Sequence, residues 1–209
     1  MALRGWRVAV AITATFAGGS ASAAALPAEI VGQLPTGYAV LGSADATPLA
    51  GHQFYFVALG SRTEPKHTLT ERRAAPARPL LIFETGPDGR YVLVGRNDDI
   101  VLRADDGGLA GNGCDPFERR HIAVRGPYFT VENGVSCGAH WTDYVTFRFD
   151  PQVGGYVFDN WRAQWWRFNP SQDPDAEALI PEKPIVIRAA KGQPVSFGTW
   201  RRPERYFKR

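Results

Sequence analysis

Asp143-Tyr-Val-Thr-Phe-Arg-Phe149 is the stretch that decides the fold of this chain of 209 residues. Val145, Phe147 and Phe149 occupy alternate positions, and the residues between them are more polar. A period of two with β-branched and aromatic side chains predicts a half-buried strand. Asp150-Pro151 then ends the strand, because proline has no backbone N–H to donate to a neighbour.

The same pattern extends in both directions from this strand. Tyr156–Phe168 is a second aromatic-rich run, and Gly154-Gly155 permits the turn that leads into it. Upstream, the apolar alternation is interrupted at Gly126-Pro127 and resumes at Tyr128. Asn133-Gly134 is the strongest short hairpin signal in the chain, since both residues tolerate a positive φ. The region Cys114–Phe168 therefore predicts an antiparallel meander of about four strands.

Further strands are predicted on either side of this meander. Gln53–Leu59 is apolar on both faces, which is typical of a central strand. The fold class that follows is all-β, a single antiparallel meander of about 8–10 strands arranged as a sandwich or a partly closed barrel. The remaining predictions are a strand Gly37–Gly42, a strand Pro79–Glu84, a turn Gly86–Gly89, a strand Arg90–Val94, a turn Asn97–Asp99, a strand Ile100–Arg103, and a last strand pair Pro184–Arg188 and Pro194–Trp200.

The first residues predict a secretory signal peptide over 1–23. Two arginines precede a small apolar run, and Ala21-Ser22-Ala23 has the form of a signal-peptidase site. No later segment has about 20 consecutive apolar residues, so we expect no transmembrane segment and a location in the periplasm or outside the cell. We expect residues 24–209 to form a single all-β domain, with a long loop at 60–78, an irregular crossing segment at 169–184 and a basic tail at 201–209.

The charge gives little support for a nucleic-acid partner. The chain has 24 Lys and Arg and 21 Asp and Glu, a net charge of +3. Removal of Arg4 and Arg7 with the signal peptide leaves 22 − 21 = +1. The basic character therefore comes partly from the signal peptide, and we expect no nucleic acid among the partners.

Cys114 and Cys137 are expected to form a disulfide, because exported proteins fold in an oxidising compartment. The bridge would be worth about 3 kcal/mol in the chain-entropy account. Two alternatives remain from the sequence. The two cysteines with His121 and His140 could form a Cys2His2 zinc set, or both thiols could stay free and buried.

Six short motifs within residues 35–168 are Arg78-Pro79-Leu80-Leu81, Asp88-Gly89-x-Tyr91, Arg96-Asn97-Asp98, Gly107-Gly108, Asp115-Pro116-Phe117 and Tyr144-x-x-x-x-Phe149-Asp150. In this order they resemble the motifs of a group of exported bacterial proteins to which no activity is assigned. The resemblance covers residues 35–168 and implies an all-β exported fold without indicating a chemistry. Related proteins often carry an Asp-rich, calcium-loop-like motif before the second strand, and Ala46–His52 has lost that character here.

Tryptophan is the residue type that most clearly indicates a binding surface. Trp161, Trp165 and Trp166 lie within six residues, and a strand would place tryptophan on both of its faces. One face must be core, so some of these side chains are buried. Exposed tryptophan beside arginine is typical of protein-interface hot spots, and it could equally stack on sugar rings. The predicted binding residues are Trp141, Trp161, Arg162, Trp165, Trp166 and Arg167.

Motifs for catalysis are weak. The chain has no Gly-x-Ser-x-Gly, no cofactor motif and no calcium-loop pattern, so we expect no cofactor and no metal. His140 and Asp143 could pair as a general base, but an offset of three places them on opposite faces of a strand. We therefore expect a non-enzymatic exported protein that binds an unknown protein partner, as an inhibitor or immunity factor. The alternatives are a module that binds a carbohydrate or peptidoglycan of the cell envelope, and a hydrolase with a site near His121, His140 and Asp143.

Export can be tested directly. When the full-length chain is expressed in a bacterial host, we expect the exported protein to begin at Ala24, because small residues at 21 and 23 fit the peptidase site. Intact-mass spectrometry of the periplasmic fraction and the medium measures this. Ala23→Arg should block processing, whereas the control Ser22→Gln should not. An exported protein that still carries residues 1–23 would contradict the prediction.

Overall fold

The computed structural model describes residues 26–49, 51–64, 75–107, 114–118, 121–137, 140–171, 173 and 175–203. Within these ranges the predicted all-β class is confirmed: antiparallel strands form two sheets that do not close into a barrel. The predicted Cys114–Cys137 disulfide is also confirmed. The signal peptide, residues 65–74 of the predicted long loop and the tail beyond residue 203 lie outside the described residues.

The described elements are α1 (Ala28–Gln33), β1 (Tyr38–Leu49), β2 (His52–Ser61), β3 (Arg78–Thr85), β4 (Tyr91–Val101), β5 (Ile122–Arg125), β6 (Tyr128–Val135), β7 (His140–Asp150), β8 (Gly155–Phe168), β9 (Leu179–Pro181) and β10 (Ile185–Arg188). Neighbouring strands in each sheet are mostly consecutive in the chain. The first sheet has the order β1-β2-β3-β4, and the second has β10-β8-β7-β6-β5 with β9 beside β8.

The main core lies between the two sheets. Phe54 and Phe56 of β2 point towards aromatic side chains of the second sheet, and the Phe56 and Phe129 ring centroids are 4.3 Å apart. Phe147, from the predicted β7 alternation, stacks on Phe129 with its centroid at 5.2 Å. Each buried phenylalanine stabilises the fold by about 1.5–3 kcal/mol. Aromatic packing across the sandwich is therefore the main apolar contribution that joins the sheets.

A second, smaller core explains why β2 is apolar on both faces. Val57 and Leu59 point away from the sandwich and pack beneath α1, where Ile30 is fully buried. Leu81 and Phe83 of β3 complete this cluster. The prediction of β2 as a central strand is confirmed, because β2 lies between β1 and β3 and is covered on both faces.

The predicted turn at Asn133-Gly134 is wrong. Both residues lie inside β6, and the turn to β7 falls after Val135. Asn133 is fully buried, and its side-chain amide pairs with backbone groups of the opposite layer. Its Oδ1 accepts from Leu102 N–H at 3.0 Å, and its Nδ2 donates to Ile100 O at 3.1 Å. The predicted interruption at Gly126-Pro127 is instead the hairpin turn between β5 and β6, with Gly126 at a φ of 55°.

The predicted turn at Asn97–Asp99 is also wrong, because β4 runs without a break to Val101 and absorbs these residues in a bulge. The Asn97 amide donates to the carbonyls of Phe197 and Trp200 at 2.6 and 3.0 Å. An asparagine that is typical of turns here fastens the C-terminal segment to the edge of the first sheet.

The predicted last strand pair is half correct. Residues 185–188 form β10, but β10 pairs with β8 and not with Pro194–Trp200. The later segment makes one isolated bridge, Val157 to Ser196, because Phe197 and Trp200 turn into the core. The crossing segment 169–184 contains the short strand β9.

Removal of the buried amide should destabilise the whole sandwich. We expect Asn133→Ala to lower the free energy of unfolding by about 2–4 kcal/mol, because it leaves buried backbone groups of Ile100 and Leu102 unpaired. Urea unfolding measures the change. The control is Asn160→Ala, because the side-chain amide of Asn160 is half-buried and donates to the adjacent Asp159 carboxylate; it should cost less than about 1 kcal/mol. Equal costs for the two variants would show that Asn133 does not join the layers.

Candidate functional site

A cavity of about 550 Å³ lies on the outer face of the second sheet, on the side that points away from the sandwich core. This volume is within the range of ligand-binding clefts, about 300–1,000 Å³. We call it the outer cavity. It is lined by Cys114, Asp115, Pro116, Glu118, Glu132, Gly134, Val135, Ser136, Cys137, His140, Trp141, Thr142, Tyr144, Trp166, Glu177 and Leu179.

Strand register brings the central part of this lining together. On β6 and β7 the inward side chains alternate with outward ones, and the outward ones of neighbouring strands lie side by side. The cross-strand pairs that line the outer cavity are Glu132 with Tyr144, Gly134 with Thr142, and His140 with Trp166.

Gly134 and Thr142 form the floor. A Cβ at position 134 would lie 2.7 Å from the Trp141 carbonyl oxygen and 3.1 Å from Thr142 Cγ2, so only glycine fits here without displacing backbone. The Thr142 Oγ1 atom is buried, and it has no hydrogen-bond partner within the described part of the chain. A buried hydroxyl without a hydrogen-bond partner is costly.

One wall is built by the end of β8 and the segment that folds back over it. Trp166 is half-buried, and Leu179 of β9 lies opposite Phe168 in the β8–β9 ladder. The segment between β8 and β9, called the return after β8, is held in place by Asn169. The Asn169 backbone N–H donates to Ala178 O at 2.9 Å, and its side chain donates to Glu177 O at 2.8 Å. Glu177 and Leu179 are thereby held at the edge of the outer cavity.

The opposite wall is the segment that begins at Cys114. The disulfide with Cys137 and a hydrogen bond from Gly134 N to Pro116 O, 2.7 Å long, fix it against β6. Gly107 packs so closely beneath it that a Cβ would lie 2.2 Å from the Cys114 carbonyl oxygen. This wall is therefore held by a covalent bond as well as by packing.

Arg78 anchors the same wall from below. Its buried guanidinium donates to the carboxylates of Asp115 and Glu64, with Nη2 at 2.8 Å from an oxygen of each. Burial lowers the pKa of Arg78, but the hydrogen bonds with Glu64 and Asp115 outweigh this and hold the pKa above its ordinary value. Arg78 thus stays charged. Loss of one member of such a buried pair is strongly destabilising, which makes its role structural.

The charged side chains of the lining have one sign. Four carboxylates contribute, and none of the described lining residues is a lysine or an arginine. His140 is half-buried and is the only imidazole among them. Two of these carboxylates already have partners, since Asp115 is paired with Arg78 and Glu132 lies beside His121. The carboxylates are those of Asp115, Glu118, Glu132 and Glu177.

The predicted tryptophan set divides between core and cavity. Trp161 is fully buried in the main core, and Trp141 is 6% exposed. Trp165 is half-buried and packs against the main core, while Arg162 and Arg167 are exposed on β8. Trp166 is the member with a half-buried ring in the outer cavity. The binding role of the set stays a prediction, and the geometry now centres it on Trp166.

The predicted hydrolase residues are not brought together. Asp143 lies on the inner face of β7, whereas His140 lies on the outer face, as their offset predicts. His121 is exposed, and its Nδ1 is 2.9 Å from Glu132 Oε2. The zinc alternative is wrong, because both sulfurs are in the disulfide. Within the described ranges, no three His, Cys, Asp or Glu side chains are grouped so that they could hold a metal ion.

The carboxylates and Tyr144 were missed at the sequence level. Tyr144 and Glu132 meet only through the true β6–β7 register, which a turn at 133–134 would have shifted. Glu177 reaches the site through the return after β8. The alternation of β7 already places Thr142 and Tyr144 on the face opposite Val145, and this is the one sequence feature that could have indicated them.

The chain matches no protein-family model, no curated protein and no solved structure. α1 has six residues, and the described ranges contain no helix that could span a membrane. The function of the chain is therefore inferred from the geometry of the outer cavity.

Proposed function

We propose that this chain is an exported, non-enzymatic binding protein that acts by protein–protein contact, as an inhibitor or immunity factor, and that the outer cavity is its contact site. The observation that carries the proposal is a half-buried Trp166 in a concave site of ligand size, with carboxylates on both walls. Tryptophan in a partly desolvated pocket is the usual centre of an interface hot spot.

The rim of the outer cavity supports contact with a macromolecule. Phe168 follows Trp166 on the same face of β8, and its side chain is 78% exposed. Such an exposed ring beside a cleft adds apolar area that a small ligand inside the cleft would not cover. A single exposed ring is ordinary on a protein surface, so Phe168 supports the contact only together with Trp166 and the cleft.

Binding fits the chemistry of the site better than catalysis. The one pair that the sequence offers for acid–base work, His140 and Asp143, is separated by the sheet itself. Asp143 is engaged by Asn133, Trp161 and Arg202 on the core side. A general base must reach the proton that it removes, and Asp143 lies on the face of β7 opposite the outer cavity.

A glycan-binding module is the second candidate. The concavity of the site favours it, because sugar rings stack on aromatic faces such as Trp166 while carboxylates accept hydrogen bonds from the sugar hydroxyls. The two candidates share the site and differ in the ligand.

A capture experiment separates these candidates. Residues 24–209 are immobilised and exposed to periplasmic extract and to purified cell-wall sacculi, with Trp166→Ala as the test variant. Tyr128→Ala is the matched control, because Tyr128 is an exposed aromatic residue at the far end of β6. Unchanged melting temperatures establish that both variants are folded.

The expected result is a protein band that the wild type and Tyr128→Ala retain and that Trp166→Ala loses. Retention on sacculi with the same dependence on Trp166 would favour the glycan-binding module instead. Binding that Trp166→Ala leaves unchanged would show that the outer cavity is not the contact site.

A further inference from the structure

Asn133-Gly134 places the asparagine of a deamidation-prone dipeptide at a fully buried position in β6. We propose that this pair is a modification site that folding protects, and that deamidation of an unfolded chain prevents it from folding again. The proposal is independent of the ligand of the outer cavity. Asn-Gly also occurs at Asn112-Gly113, where Asn112 lies outside the described residues.

The reaction needs water and no other reactant. The backbone nitrogen of Gly134 attacks the side-chain carbonyl carbon of Asn133, the bond from that carbon to Nδ2 breaks, and ammonia leaves with the proton that Gly134 loses. One water molecule then opens the five-membered succinimide at either of its carbonyl groups, which gives aspartate or isoaspartate at position 133. Glycine favours the attack, because it has no side chain to hinder the approach and its backbone rotates freely.

The fold prevents this attack. Strand residues have ψ near about +135°, which turns the following nitrogen out of the plane in which the ring closes. The Gly134 N–H also donates to Pro116 O at 2.7 Å. The Asn133 side chain is held by the opposite layer, where it accepts from Leu102 N–H at 3.0 Å and donates to Ile100 O at 3.1 Å. Ring closure therefore requires these contacts to open first, and the reactive state is the unfolded chain.

Aspartate at position 133 would be incompatible with the buried network. Asn133 Nδ2 donates to Asp143 Oδ1 at 3.0 Å, and both residues are fully buried. Deamidation replaces this donor with an acceptor and places a second carboxylate at hydrogen-bond distance from the first. The guanidinium of Arg202, which pairs with Asp143, would then face two carboxylates. Two such groups cannot both be charged in a buried site without a large cost, so the network would no longer join the sheets.

Isoaspartate would damage the strand itself. The main chain would then run through the side chain of residue 133 and gain one methylene group. Gly134 pairs with Thr142, and Val135 pairs with Trp141, in the present register of β6 and β7. A longer backbone displaces Gly134 and Val135 from these partners. Since either product removes a contact that the sandwich requires, an unfolded chain has a limited time in which it can still fold.

Deamidation rates test the protection. The purified protein is kept at mildly alkaline pH in buffer and in guanidinium chloride, and peptide mapping by mass spectrometry measures deamidation at each asparagine. Without reductant the two cysteines stay bonded to each other, so no free thiol can exchange. We expect Asn133 to react at least about a hundredfold more slowly in buffer than in denaturant, because reaction requires unfolding. In denaturant, Asn112 before glycine and Asn160 before tryptophan are the fast and the slow reference.

Refolding tests the consequence. After partial deamidation the guanidinium chloride is removed, and size-exclusion chromatography separates protein that elutes like the untreated sample from the remainder. We expect the refolded fraction to contain intact Asn133, and aspartate or isoaspartate at this position to be confined to the remainder. Equal amounts of modified residue 133 in both fractions would overturn the proposal. So would a rate in buffer within about tenfold of that in denaturant, or an unreactive Asn133 in denaturant where Asn112 reacts.

Two matched variants separate the position from the chemical change. Asn133→Asp and Asn160→Asp each place a carboxylate beside an existing one, because Asn133 donates to Asp143 and Asn160 donates to Asp159. Asn160 is half-buried on β8, where solvent screens the pair. We expect Asn160→Asp to refold with the yield of the wild type, and Asn133→Asp with less than about a tenth of that yield. A wild-type yield for Asn133→Asp would overturn the proposal.

Discussion

The buried carboxylate of Asp143 is the constraint on which the rest of the structure depends. It is fully buried, and a carboxylate in a core is costly unless donors surround it. Its donors are Asn133 of β6, Trp161 of β8 and Arg202 of the C-terminal segment. Asn133 and Arg202 also reach backbone groups at the end of β4 in the other sheet. One side chain thus fixes three strands and the C-terminal segment in a single arrangement.

This arrangement separates the two faces of the second sheet. The inner face is filled by Asp143, its donors and the aromatic core. The outer face carries polar and aromatic side chains that are not part of the core, such as Thr142, Tyr144 and Trp166. There the wall of the outer cavity is stabilised independently, by the disulfide and by Arg78 between Glu64 and Asp115. The rigid inner face can therefore position the lining without taking part in binding.

Much of the fold could be predicted from the sequence, because alternation in β7 and two-sided hydrophobicity in β2 are local patterns. The errors arose where a residue serves a distant contact. Asn133, Gly134 and Asn97 are typical turn residues, but each has another role here. Asn133 hydrogen-bonds backbone of the other sheet, and Gly134 permits close approach of β7. Asn97 holds the C-terminal segment through the Phe197 carbonyl. The candidate site was predicted only in part, since alternation cannot tell which face of β8 is core. Its carboxylates come from separate segments that only the strand register and the return after β8 bring together.

Hydrogen exchange at the Trp161 indole N–H and the Leu102 amide tests the central claim most directly, since both donate into the buried network around Asn133 and Asp143. If this network joins the sheets, both protons exchange only when the whole protein unfolds. Their opening free energies should then equal the global value from urea unfolding, within about 1 kcal/mol. Opening free energies lower than the global value by more than about 2 kcal/mol would show local opening. That result would contradict the account, because the network would not hold the two sheets together.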